Sequence, residues 1–363
     1  MGRRWSGSGA GWLVGLLVVA MAATATRAQD ELAFARAKHL RRGINLSMWY
    51  AQATDYSAER LASYTTPADL KAVRYLGFDH VRLSIDPEPL VADATTGALR
   101  DDAMARLDET VRQITSLGLV VVLDIHPQES WKKQAISKDE GAAQLFLFWK
   151  SFAQHFAGTD PEKVYFEVLN EPEGVSDDRW AQEQARAIEI IRSQAPQHTI
   201  IATGEDWGGI DGLLEVKPVR DDNVIYSFHD YEPMEFTHQG ATWSSPNLAT
   251  LRGVSYPSMP GLAGYGQQGW DIHTTEKRIG LAVAWAKRRH VPLWCGEFGV
   301  YRKYAPAADR ARWIADMRKS LEKDGIGWAM WDYQGSFGLV TKKDGTTSVD
   351  SSVVEALGLN DAK

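Results

Sequence analysis

Two glutamates stand where an apolar run gives way to polar sequence: Glu171 in VYFEVLNEPEG (164–174) and Glu297 in VPLWCGEF (291–298). A carboxylate at the end of a buried run is costly unless it is paired or protonated, so such a position calls for a purpose. Two acids in opposite protonation states can break a glycosidic bond. The protonated one gives its proton to the departing oxygen, and the ionised one stabilises or attacks the anomeric carbon. Surroundings can separate the two states. A cation such as Arg82 would keep one carboxylate ionised, and that negative charge would raise the pKa of the other.

Other chemically active side chains close apolar runs in the same way: Arg82 in DHVRLSI, His126 in LVVVLDIH, Asn170 beside Glu171, His229 and Tyr231 in NVIYSFHDY, and Trp331 in GWAMWDY. Each also has an ordinary reading, in which Arg82 pairs with Asp86, His126 caps a helix and the acids are solvated. What favours a joint role is the fold that the runs imply.

Extended apolar runs are expected at 41–47, 79–85, 119–126, 164–170, 199–204, 223–229, 291–298 and 327–333. Between them lie helical patterns such as PADLKAVRYLG, DDAMARLDETVRQITSLG, GAAQLFLFWKSFAQHF, DRWAQEQARAIEIIRSQ, TEKRIGLAVAWAKRRH and ADRARWIADMRKSLEKDG, several with Asp or Thr at the start and Gly at the end. The terminal SVVEALGLNDAK reads as the last barrel helix, with no binding module or linker after it. Continuous apolar strands alternating with helices predict a parallel sheet, and this many units predict a single-domain (β/α)8 TIM barrel of the α/β class. In that fold the active site lies at the C-terminal ends of the strands, so the polar residues above meet on one rim, with Glu171 and Glu297 on opposite sides.

The remaining features narrow the class. A net charge of −7 without a basic cluster argues against nucleic acid as a partner. No GxGxxG follows the first strand, no GxSxG elbow is present, and HExxH, EF-hand and cysteine-cluster motifs are missing, so neither a cofactor nor a metal is expected. Asp124 and His126 face the same way on one strand and are read as a structural hydrogen bond. The single Cys295 forbids an internal disulfide. Arg3 and Arg4 precede the apolar GWLVGLLVVAMAA and small residues suited to cleavage after Ala25 or Ala28. This predicts a secretory signal peptide over 1–28, a mature domain over 29–363, a secreted or periplasmic location, and no membrane contact after cleavage. A monomer is expected.

The strand ends RGINLS, HVRLS, LDIHP, VLNEP, SFHDY, CGEFG and AMWDY, in this order along nearly the whole mature chain, resemble glycoside hydrolase family 5, a family of retaining barrel glycosidases. The resemblance implies Glu171 as acid/base, Glu297 as nucleophile, Asn170 as donor to the sugar 2-hydroxyl, Arg82, His126, His229 and Tyr231 as orienting residues, and Trp331 as the floor of the subsite. RGINLSMWY and HDYEPMEFTHQGATW most resemble bacterial endo-β-1,4-glucanases, which implies cellulose or cello-oligosaccharides as substrate. Mannanases and trimming or transglycosylating glucanases of cellulose synthesis share the acid pair. A non-catalytic glucan-binding barrel would have lost one of the acids, and both remain. Trp207, Trp243 and Trp49 with Tyr50 are candidate stacking platforms. The long segment from Tyr231 to His273 is expected to wall one side of the cleft.

Overall fold

The computed structural model describes residues 1–2, 31–259 and 269–359. The leader expected over 1–28 lies outside the described residues except for its first two, as do 260–268 of the long loop and 360–363 of the expected last helix. Eight strands, β1 (Arg42–Tyr50), β2 (His80–Ile85), β3 (Val120–Ile125), β4 (Val164–Glu167), β5 (Ile200–Thr203), β6 (Val224–His229), β7 (Leu293–Phe298) and β8 (Gly327–Met330), close into one barrel. Every neighbouring pair is parallel, and chain order is barrel order. The expected (β/α)8 barrel is therefore the observed one.

The period of two along the strands sorts their side chains into two shells. Val120, Val122, Tyr165, Ile201, Ile225, Trp294 and Ala329 fill the barrel interior above Leu40, while alternate residues such as Val121, Leu123 and Phe166 join the outer core beneath the helices. At the base of the interior His80 lies so close to Gly43 that a Cβ there would fall 2.1 Å from its Nε2, which is why β1 carries a glycine. One step up the same inward rows come Asn45, Arg82, Asp124 and Glu167, joined by the registers Asn45↔Arg82 and Asp124↔Glu167. The apolar plug thus ends where a charged layer begins.

Helices α1 (Pro67–Leu76), α2 (Asp101–Ser116), α3 (Glu129–Ser137), α4 (Asp139–Phe156), α5 (Asp177–Gln194), α6 (Ile210–Glu215), α7 (Ile272–Arg289), α8 (Ala307–Lys323) and α9 (Ser351–Ala356) surround the barrel. Their starts follow local chemistry: Thr66 and Asp69 form a reciprocal capping box on α1, and Ser176 and Asp271 cap α5 and α7. The buried stripe of α4, Leu145, Phe148, Trp149, Phe152 and Phe156, recurs at three and four residues. Each such side chain contributes ~1.5–3 kcal/mol by burial. Trp149 also reaches inward, its Nε1 donating to the Val168 carbonyl at 3.0 Å, and so steadies the segment that leads from β4 to Glu171. No helix among the described residues is long and apolar enough to cross a membrane.

Candidate active site

Arg82 is the centre of the charged layer and is fully buried. Its Nε and Nη2 donate to both oxygens of Glu167 at 2.7 and 2.9 Å, Nη1 donates to Glu297 Oε1 at 2.5 Å, and Nη2 lies 3.1 Å from Asp124 Oδ2. Asn45 and Asn170 accept from the remaining guanidinium hydrogens at 3.0 and 2.8 Å. One cation thus ties β1, β2, β3, β4 and β7 together. Asp86, the partner that the sequence suggested, instead accepts from Tyr56 and the Glu88 amide. Burial pushes Asp124 up to about 7 against the pull of Arg82.

Glu297 owes its direction to an irregularity in β7. Strict alternation from the inward Trp294 would send Glu297 outward, towards the helices. The pairing with β6 instead slips, from Phe228↔Cys295 to His229↔Glu297, so that Gly296 is an extra residue and Glu297 turns into the mouth. A Cβ at Gly296 would lie 2.8 Å from Ser227 Oγ and 3.0 Å from His229 Nε2, so the bulge needs glycine. Besides Arg82, Glu297 accepts from Tyr231 Oη at 2.7 Å.

Glu171 stands beyond the last residue of β4 rather than on the strand, in a left-handed conformation with φ 46°. The Asn170 amide donates to Ile125 O at 2.8 Å and the Trp207 amide to Pro172 O at 3.1 Å, which holds the segment from both sides. The Glu171 carboxylate accepts from His229 Nδ1 at 2.9 Å. One oxygen of Glu171, one of Glu297 and one ring nitrogen of His229 all lie within 4.8 Å of one another. That triad has the donor types for a metal ion, yet Arg82 and Tyr231 already donate to Glu297, and a guanidinium at that distance repels a cation.

Burial lifts both acids above the usual carboxylate range. At Glu171, Lys132, His126 and Arg82 oppose the rise; at Glu297, His229 and Arg82 oppose it and the Glu171 charge adds to it. Burial also lowers both histidines to about 4, so each is a neutral imidazole at neutral pH. His126 then donates from Nδ1 to Asp124 at 2.9 Å and accepts at Nε2 from Asn170 at 3.2 Å, which leaves the second amide hydrogen of Asn170 for a ligand. The Asp124–His126 pair is the hydrogen bond that the sequence suggested.

The aromatic residues divide. Trp331 lies over His126, with ring centroids 5.7 Å apart and planes 21° from parallel, and remains half-buried at the rim. Trp207 is 56% exposed beside the acid segment, and Trp243 is 57% exposed with its ring edge on Tyr301. Around Trp243, the described part of the long loop packs His238 against Tyr231 and Phe337, beside the tyrosine that donates to Glu297. Trp49 corrects the expectation made for it. Its side chain is buried, and Nε1 donates to Leu61 O at 2.8 Å, so it pins the following helix to β1 and presents no face to a ligand. Tyr50 is likewise buried, on Thr110. Sequence reasoning missed Glu167 as the bidentate partner of Arg82, and missed Lys132, which donates to the Glu171 carbonyl at 3.0 Å. An acid four positions before Glu171, on the same inward row as Tyr165, was the available signal for Glu167. Lys132 had none, because α3 was not anticipated.

The family described as Cellulase (glycosyl hydrolase family 5) matches residues 42–336, which includes all eight strands and both acids. The chain belongs to this family. It is a glycoside hydrolase of the cellulase type. Endoglucanase C of Acetivibrio thermocellus is 27% identical over 312 residues, 80% of this chain and 90% of the relative. Cellodextrinase A of Ruminococcus flavefaciens is 30% identical over 78% of this chain and 83% of its own. The crystal structure of endoglucanase Cel5A from Thermotoga maritima superposes with a TM-score of 0.78 at 28% identity, covering 90% of this chain and 99% of that one.

Proposed function

We propose that this family 5 hydrolase is an endo-β-1,4-glucanase that cleaves internal bonds of β-1,4-glucan by retaining double displacement, with Glu297 as nucleophile and Glu171 as acid/base. The observation that carries the reading is that one oxygen of Glu171 and one of Glu297 lie within 4.8 Å of each other. Retaining glycosidases hold the pair at about 5–5.5 Å, whereas inverting ones need about 6.5–9.5 Å to admit a water between them.

In the first step Glu171, in its protonated form, gives its proton to the glycosidic oxygen as the Glu297 carboxylate, which Arg82 and Tyr231 favour in its ionised form, bonds to the anomeric carbon. The C–O bond breaks and the shortened glucan leaves as an alcohol. Glu171, now ionised, takes a proton from water; the resulting oxygen nucleophile displaces Glu297 from carbon, and both acids return to their starting states. Arg82 and Tyr231 hold the Glu297 oxygens in place, His229 orients Glu171, and the free Asn170 hydrogen meets the 2-hydroxyl. Trp331 forms the floor of the subsite and His126 supports it from below. Trp207 and Trp243 extend the stacking surface on either side. Capture of the glycosyl-enzyme by a sugar hydroxyl in place of water gives transglycosylation when acceptor is abundant. The apolar leader directs export, with activity in the periplasm or outside the cell.

Proton NMR of the first product from cellopentaose tests the mechanism: the β-anomer is expected, and a first-formed α-anomer would remove Glu297 from the nucleophile role. Parallel digests of cello-, manno- and xylo-oligosaccharides test the substrate class, with cello-oligosaccharides cleaved fastest and at internal bonds.

A further inference from the structure

Helix α3 turns Lys132 inward over the barrel mouth, where its side chain is only 7% exposed. Burying an ammonium costs several kcal/mol unless it is paired, and a lysine on a peripheral helix has solvent within reach of its long stem. Here the Nζ instead donates to the backbone carbonyl of Glu171 at 3.0 Å, and Glu129, one turn earlier on the same helix, pairs with it at 3.2 Å. The carbonyl it holds belongs to a residue in the left-handed region, which a non-glycine residue occupies only when its surroundings insist. Pro172 follows and restricts the Glu171 backbone further.

We propose that Lys132 is a positioning residue for the acid/base: by clamping the Glu171 carbonyl it holds the left-handed turn that aims the carboxyl at His229 and the leaving oxygen. The proposal rests on the reading of Glu171 as acid/base. The ammonium also brings positive charge towards a carboxyl whose other charged or titratable neighbours are Arg82 from β2, Asp124 from β3 with His126 just beyond it, His229 from β6, Tyr231 just after it, Glu297 from β7, Glu129 from α3 and Glu173 on its own segment. Removing Lys132 therefore misplaces the acid and strengthens its hold on the proton.

The test separates acid catalysis from general damage by varying the leaving group. In Lys132→Met, hydrolysis of cellopentaose, whose leaving sugar needs a proton, should fall about 100-fold, the scale on which a small misplacement of a catalytic group acts. Formation of the glycosyl-enzyme from 2,4-dinitrophenyl cellobioside, whose leaving group needs none, should fall less than about threefold. The alkaline limb of kcat/KM on cellopentaose should move to higher pH, because a lost cation favours the neutral acid. Glu129→Gln removes a negative charge near the same carboxyl and should move that limb down, and Lys132→Arg should restore most of the cellopentaose rate. Equal losses on both substrates, or an unchanged cellopentaose rate, would overturn the proposal. If Lys132→Met does not fold by circular dichroism, an unmoved limb in Glu129→Gln overturns it and a downward shift supports it. Glu171→Ala serves as the control. If that variant lacks the leaving-group split, the acid/base reading fails; if it has the split and the Lys132 variants do not, only the present inference fails.

Discussion

Tyr231→Phe removes one hydroxyl and leaves the ring packed against His238 and Phe337, so its effect isolates a single hydrogen bond to the nucleophile. That bond runs from a phenol to a buried carboxylate at 2.7 Å, the range of charge-assisted contacts. Hydrogen bonds to charged groups contribute ~1.5–3 kcal/mol, and a pKa unit corresponds to about 1.4 kcal/mol, so the loss should raise the Glu297 pKa by about one to two units. The sign follows from which form the hydroxyl serves. It donates to the ionised carboxylate, so its removal favours the protonated form, which cannot attack carbon. The acid limb of kcat/KM should then move to higher pH by that amount, since this parameter reports the free enzyme. Relative to the unmutated enzyme, the rate should fall about 10- to 100-fold on the acid side and much less above the shifted limb. Steady-state kinetics on an aryl cellobioside between pH 3 and about pH 9 would show this, with circular dichroism as the check on folding. A loss that is constant with pH, or an acid limb that moves down, would refute the reasoning.

Glu297→Ala should lose nearly all turnover, and azide, which fits the vacated space, should restore part of it with inverted product on an aryl cellobioside; rescue with retention would point to another nucleophile. Glu171→Ala should give a burst of aryl alcohol followed by slow release, because the glycosyl-enzyme then lacks a base; stopped-flow absorbance without a burst would argue against its second role. Trp331→Ala should lower kcat/KM on cellotriose by several kcal/mol equivalents of transition-state binding, whereas Trp243→Ala should mainly raise KM for longer chains, and equal small effects on a chain-length series would mean that both merely pack. Activity should survive prolonged dialysis against EDTA, and a loss reversed by a divalent ion would show a metal requirement.

Much of this protein is legible in its sequence, because the signals involved are local. The apolar runs are continuous where both faces of a strand are covered, so eight of them in alternation with capped helices specify a closed parallel barrel. The rule that strand ends face the mouth then nominated Glu171, Glu297, Arg82, His126, Asn170, His229, Tyr231 and Trp331. The structure joins Arg82, Asn170, Tyr231 and Glu297 by hydrogen bonds and sets the bonded pair His229 and Glu171 beside them, His229 Nδ1 lying 3.8 Å from Glu297, with His126 bonded to Asn170 and Trp331 stacked on His126.

What tertiary structure decided was direction and partnership. By alternation alone Glu297 would have faced the helices; the extra residue at Gly296 turns it inward, and a bulge leaves no periodic mark in a six-residue strand. Trp49 and Trp207 are both tryptophans at strand mouths, yet one is buried on Leu61 and the other is exposed, since the fate of an indole depends on which loop lies above it. Arg82 chose Glu167, Asp124 and Glu297 over the nearby Asp86 because inward rows of neighbouring strands meet across the barrel, whereas Asp86 lies past the end of β2. Lys132 comes from a helix that begins without a capping side chain and carries a weak apolar pattern, so only the packed chain could show that its ammonium ends on the carbonyl of Glu171.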